Sequence, residues 1–338
     1  MLSAILSEPG KIELRDVEIP EPQEGELLIK IKSALTCGTD LKAFIRGHPF
    51  IPTPGPFGHE FSGIVAGKGK GVSKFRMGDA IMSVHSAPCL ACTYCRRKFF
   101  NLCEQSMASK VLGAYAEYIV IPKHVVQQNV YRKPAGLHFK EACFLEPLSC
   151  VVHGIESLDI HKKDTVFIIG AGPIGLLHLL YAKSKGARVI ITGLEEDKLN
   201  IAKKLGADIS CHPSKVHEHV STITQGIGVD YVFECTGQPT IWETAVDFVR
   251  KGGTVILFGG CRTGTTVRYK TETLHYHEIS LKGSFHFTPH DVKKAYSLLK
   301  NKKINVKKLI SGTYPLEEIS DVFVSLSKGN GLKYAIVP

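Results

Sequence analysis

The stretch from Thr165 to Ala182, TVFIIGAGPIGLLHLLYA, runs eighteen residues without a formal charge and limits the available folds more than any other segment. A run of that length could cross a bilayer. Its three glycines, its proline and His178 speak instead for a buried strand that turns sharply into a buried helix. Gly170, Gly172 and Gly175 stand in G-x-G-x-x-G spacing at the junction. Between a strand and a helix this spacing signals a dinucleotide site. The first glycine permits the tight turn, the second lets backbone approach a pyrophosphate, and the third lets helix and strand pack closely. The helix start at Pro173 and Ile174 then offers unpaired N–H groups and a positive dipole end to the phosphates.

The surrounding sequence repeats the alternation. DTVFIIG, RVIIT, VDYVFECTG and TVILFGG read as strands, and PIGLLHLLYAKSKGA, EEDKLNIAKKLGA and PTIWETAVDFVRKGG as helices. Strands separated by helices of this length imply a parallel, doubly wound sheet. The preceding residues differ: GELLIKIKSAL, FSGIVAG, DAIMSV and AEYIVIP are short strands set among Pro and Gly, as in an irregular, mostly β domain. A chain of 338 residues has room for two cores. The expected division is residues 1–150 with 290–338, whose tail returns as a helix and a strand, and residues 151–289 as the dinucleotide-binding domain.

The second strand normally ends in an acid that binds the ribose hydroxyls. Here RVIITGLEEDK places Gly193 at that position, with Glu195 and Glu196 just beyond. A glycine leaves room for the 2′-phosphate of NADP. The two glutamates repel it unless Lys198 or Arg188 compensates, and they tilt the balance toward NAD with Glu195 on the ribose.

Composition excludes several other classes. The formal net charge of +10 comes from lysines scattered through helix-like segments, a solvated basic surface rather than a nucleic-acid face. The N-terminus MLSAILSEPGKIELRDVEIP lacks the features of a secretory signal, which points to a cytoplasmic protein without membrane contact. In that compartment ten cysteines suggest metal ligation more than disulfides. Cys89, Cys92, Cys95 and Cys103 follow C-x2-C-x2-C-x7-C in the segment 86–105. Four thiolates close a tetrahedral zinc shell with no open position, so this site is structural. A redox C-x-x-C belongs beside a thioredoxin-like βαβ unit, and this one lies in a β-rich loop.

A second donor set is dispersed: Cys37 in LTCGTDLK, His59 and Glu60 in GPFGHEFSG, and Glu146 in FLEPLSC. Each alone would be an ordinary core or polar residue. With a dinucleotide loop and a four-cysteine loop in the same chain, their combination points to metal chemistry.

Through CGTD at 37–40, GHE at 58–60, the cysteine lobe, AEYIV at 116–120, EPLS at 146–149, GAGPIG at 170–175, FECTG at 233–237 and LKGS at 281–284, the chain resembles the zinc-dependent medium-chain alcohol dehydrogenases. The resemblance runs nearly end to end and is strongest to the branch of sorbitol, other polyol and threonine dehydrogenases. It implies a GroES-like irregular β-barrel catalytic domain beside a Rossmann domain, with two zinc ions per chain. The catalytic zinc would be held by Cys37, His59 and either Glu60 or Glu146, and the structural zinc by the four-cysteine lobe. Cys143 and Cys150, which flank Glu146, are runner-up ligands and are expected to be buried bystanders. Asp40 would orient His59, and Thr39 would begin the proton relay. Relatives often have histidine where this chain has Lys42, which leaves the rest of the relay open; His48 is the alternative, with a structural role in its Pro-rich loop the first expectation. Phe258 and Gly259, in LFGG, would lie near the nicotinamide in an interdomain cleft. The implied reaction is hydride transfer between a small-molecule secondary alcohol, such as a polyol or amino alcohol, and NAD or NADP. Assembly as a homodimer or homotetramer is the matching expectation. The alternative is a family member that binds a dinucleotide without turnover.

Overall fold

The five residues Thr165–Ile169 form a strand buried along its whole length, as a central parallel strand covered on both faces must be. The computed structural model describes all 338 residues, in two compact units, Met1–Ser149 with His286–Pro338 and Cys150–Phe285.

In the second unit, six strands lie in the order Ile209–Cys211, Arg188–Thr192, Thr165–Ile169, Val229–Glu234, Val249–Leu257, Ser280–Gly283. Every neighbouring pair is parallel. Numbered along the chain the order is 3-2-1-4-5-6, the doubly wound dinucleotide-binding arrangement. Register aligns Thr192 and Glu234 with Ile169, and Leu257 with Glu234. Gly170, Gly193, Cys235 and Phe258 therefore leave the sheet along one carboxyl edge, where such sheets bind ligands. The helix after the glycine turn is Pro173–Ser184, and no helix of the protein is long and apolar enough to cross a membrane.

One segment departs from the expected pattern. The helix anticipated over PTIWETAVDFVRKGG stops at Thr244, and a strand begins at Val249. Val249 pairs with Val229, Phe248 packs against Phe167 at 5.0 Å between ring centroids, and Gly252 takes φ +70°. Apolar contacts to the sheet thus claim the β-prone half of the run, and a left-handed glycine ends any helical continuation.

The first unit is β-rich. Its larger sheet runs Ile310–Pro315, Lys333–Val337, Leu27–Leu35, Glu60–Lys68, Ala80–Ser83, Val130–Arg132, with Tyr118–Ile121 also paired to Leu27–Leu35. A smaller sheet joins Lys11–Asp16, Leu2–Glu8 and Gly55–Pro56. Phe57, Phe61, Tyr115 and Phe323, all 0 % exposed, lie in the core. Leu35 is registered against both Glu60 and Ala335. That single crossing brings the segment after Leu35, the GHE segment and the final strand to one place.

Candidate metal centre and cofactor loop

Cys37 caps the helix Gly38–Arg46, its sulfur accepting the Thr39 N–H at 3.5 Å. Asp40 follows in the first turn, where the helix dipole favours a carboxylate. Thr39 is half-buried in this helical turn. Gly58 holds φ +87°, and a Cβ there would fall 2.7 Å from the Tyr115 ring, so the turn into His59 requires glycine. Glu146 opens the helix Leu145–Glu156.

The donor atoms gather in two sets that share His59. Cys37, Asp40 and His59 lie within 4.8 Å of one another, and so do His59, Glu60 and Glu146. Cys143 and Cys150 belong to neither set. Cys143 donates its thiol to the Ser33 carbonyl at 3.1 Å, and burial pushes its pKa up to about 12, so it stays protonated. Asp40 Oδ1 faces His59 Nδ1 at 3.2 Å, and Tyr115 donates its hydroxyl to Asp40 Oδ2 at 2.9 Å.

The electrostatics favour a cation. Burial works against charge on His59, yet Asp40 and Cys37 outweigh it and raise the ring's pKa well above its ordinary value. Burial raises Glu60 to about 7 against the pull of Lys333. Glu146 is buried too, but the neighbouring imidazoles, His85 first, bring it down to about 2. His85 Nδ1 stands 3.4 Å from Glu146 Oε1, an electrostatic contact longer than a good hydrogen bond. A thiol, an imidazole and three buried carboxylates, one of them paired with Lys333, form a donor set suited to a borderline-soft divalent ion.

Three participants escape sequence inspection. Lys333, 2 % exposed, donates to both oxygens of Glu60 at 2.7 and 2.6 Å and to the Thr36 carbonyl at 2.8 Å. Its one sequence signal is a lone lysine inside the apolar run GLKYAIVP. His85 and His286 have ring centroids 5.2 Å apart, and His286 Nε2 meets Ser86 Oγ at 2.7 Å. His286 adopts φ +63°, an uncommon conformation for a residue with a side chain. His48 accepts the Phe50 N–H at 3.2 Å within its loop.

The four lobe cysteines also gather within 4.8 Å. Backbone N–H groups point at their sulfurs: Cys89 to Cys103 at 3.2 Å, Cys92 and Ala91 to Cys89 at 3.3 and 3.4 Å. Leu90 and Lys98 hold positive φ to shape this turn. Burial and the adjoining thiols push Cys95 up to about 12, a repulsion that a cation among the sulfurs would remove.

At the glycine loop, Gly170 takes φ +112°, and a Cβ on Gly175 would lie 1.8 Å from the Gly170 carbonyl oxygen. A Cβ on Gly172 would meet nothing, so that backbone is open to a ligand. Pro173 is the first residue of the helix, and the Ile174 carbonyl meets His178 Nδ1 at 3.0 Å. A Cβ on Gly193 would fall 2.7 Å from the Ala171 Cβ, so packing alone accounts for glycine there. Glu195 pairs with Lys198 at 3.0 Å. Phe258 and Gly259 donate their N–H groups to the Glu234 carbonyl at 3.0 and 2.8 Å. The Glu234 carboxylate in turn accepts from Thr236 and Gly237, which ties this part of the carboxyl edge together.

Comparison with known proteins bears on this geometry. Residues 23–131 match the alcohol dehydrogenase GroES-like domain, and residues 173–301 the zinc-binding dehydrogenase domain. Sorbitol dehydrogenase of Halalkalibacterium halodurans is 34% identical over 330 residues, 95% of this chain and 94% of its own length. D-arabitol-phosphate dehydrogenase of Enterococcus avium is 34% identical over 329 residues, 95% and 92% of the two chains. Among solved structures, a zinc-binding dehydrogenase from Sinorhizobium meliloti bound to NADP superimposes with TM-score 0.91 at 30% identity, covering 100% of this chain and 99% of its own. Galactitol-1-phosphate dehydrogenase from Escherichia coli does so with TM-score 0.89 at 26% identity, covering 100% of both. The chain is therefore a member of the zinc-binding alcohol dehydrogenase family, and an oxidoreductase.

Proposed function

We propose that the protein oxidises a secondary hydroxyl of a polyol, and reduces the corresponding ketone, with zinc at the Cys37–His59 centre and NAD as the hydride carrier. The observation that carries this reading is the pair of donor sets sharing His59 in a chain whose other unit holds a strand–glycine-turn–helix loop. The named activities of the relatives, on sorbitol and on D-arabitol phosphate, support the polyol class. When bound, the zinc supplies Lewis acidity that makes a hydroxyl proton easier to remove, and the nicotinamide accepts the hydride.

The chain's own residues supply the rest. Cys37, His59 and Glu146 would hold the ion, because both oxygens of Glu60 already accept from Lys333. Asp40 fixes the His59 ring with Nδ1 toward the carboxylate, which leaves Nε2 as the donor atom. The Thr39 hydroxyl would begin the proton relay, accepting the substrate's proton while donating its own onward toward solvent. Gly170, Gly172 and the helix start at Pro173 and Ile174 bind the pyrophosphate, and Glu195 takes the ribose. The three acids Glu195, Glu196 and Asp197 around the start of the following helix disfavour a 2′-phosphate, while Lys198 is engaged by Glu195. The four lobe cysteines would hold a second, structural zinc.

The test combines metal analysis with a substrate panel of polyols, threonine and simple secondary alcohols, each with NAD and NADP. The expected result is about two zinc ions per chain and turnover of polyols with NAD. Cys37→Ser should lose one of the two ions and all activity while the lobe zinc stays. Glu146→Gln should weaken the same ion more than Glu60→Gln does. Retained activity in Cys37→Ser would overturn the reading.

A further inference from the structure

We infer that Tyr115 is a positioning residue for the metal centre: its hydroxyl holds the Asp40 carboxylate so that Asp40 can orient the His59 ring. The inference rests on the reading of His59 as a zinc ligand. Asp40 is 0 % exposed, so water does not set its carboxylate plane. The torsion that turns a carboxylate is soft, and only neighbours can fix it. Two contacts do so: Oδ2 accepts from Tyr115 at 2.9 Å, and Oδ1, which has no hydrogen-bond partner, faces His59 Nδ1 at 3.2 Å in an electrostatic contact.

The Tyr115 hydroxyl has one proton and two acceptors in reach, Asp40 Oδ2 and the Leu35 carbonyl at 3.0 Å. A charged acceptor makes the stronger bond, so the proton goes to Asp40. The ring is placed by the core and not by the site. Phe57 and Phe323 flank it at centroid distances of 4.8 and 5.8 Å, and Gly58 lies so close that a Cβ would fall 2.7 Å from it. Gly58 directly precedes His59. One side chain therefore seats the backbone that delivers His59 and aims the carboxylate that turns its ring. Fixing that ring with Nδ1 toward Asp40 keeps the Nε2 lone pair available to a metal.

Tyr115→Phe keeps the ring and removes the hydroxyl, which separates the two roles. The experiment measures zinc affinity by chelator competition, the visible spectrum of the cobalt-substituted protein, and thermal unfolding of metal-free protein. The expected outcome is zinc affinity at the Cys37–His59 centre weakened about 10–100-fold, an altered cobalt spectrum, and no further loss when Tyr115→Phe is added to Asp40→Asn. Phe323→Leu controls for packing: it should lower Tm and leave zinc affinity unchanged. Unchanged zinc affinity in Tyr115→Phe, or additive losses in the double variant, would overturn the inference while the metal reading stands. Wild-type protein that holds no zinc dependent on Cys37 would overturn both.

Discussion

An ammonium at 2 % exposure persists inside a β-rich core only where carboxylate meets it, and Lys333 meets both oxygens of Glu60. Burial opposes its charge, yet Glu60 and Cys37 raise its pKa above the ordinary lysine value. Removing one partner strands the other. In metal-free protein above pH 7, Lys333→Met should cost about 3–5 kcal/mol by denaturant titration, because Glu60, at 0 % exposure without its partner, must either stay charged or take up a proton. Adding Glu60→Gln should recover most of that loss, since two neutral groups of similar volume need no counter-charge. Single-variant and double-variant stabilities that simply add would contradict the account. The residues that gather around His59 differ in how openly the sequence shows them. Cysteine, histidine and glutamate in short motifs carry their chemistry in their type. Lys333 and Tyr115 matter through contacts with residues far away in sequence, 273 positions from Lys333 to Glu60 and 75 from Tyr115 to Asp40, and no local pattern encodes such a pairing.

At the scale of elements, the parallel sheet was legible because its strands are nearly continuous apolar runs, with Thr165–Ile169 buried throughout. The edges were harder to read. Ser280–Gly283 is mostly exposed and lacks that apolar signal, and Ile209–Cys211 is three residues long. The segment after Pro239 misled because its composition suits a helix locally while its partners, Val229 and Phe167, lie elsewhere in the chain. The glycine turn is where strand and helix meet most tightly. Gly175→Ala would place a methyl 1.8 Å from a main-chain carbonyl, which no rotamer can relieve. The helix Pro173–Ser184 must then move off the strand. Fluorescence titration should show dinucleotide affinity lost by more than tenfold, with zinc content unaltered. Full cofactor affinity in this variant would contradict the packing role of that glycine.

For the whole molecule, the two candidate ligand sites draw on separate stretches of chain, and each ligand should stabilise the segments that hold it by mass action. Hydrogen exchange should therefore show NAD protecting amides around 168–175 and 190–198. Chelator treatment should deprotect 36–41, 58–61 and 144–149 together with the lobe at 86–105. Protection by NAD confined to the first set of metal segments would argue against the assignment of the cofactor loop. The net charge of +10 adds a diffuse attraction for an anionic dinucleotide, which salt will screen.

The counter-ion of Glu60 sits at residue 333, in the strand that ends at Val337. During synthesis, Cys37, His59 and Glu60 leave the ribosome long before that lysine exists. A growing chain consequently carries that acid beside the candidate metal donors without its lysine until the strand Lys333–Val337 has been made and has paired beside Leu35. Until then the candidate centre differs in charge from the finished one.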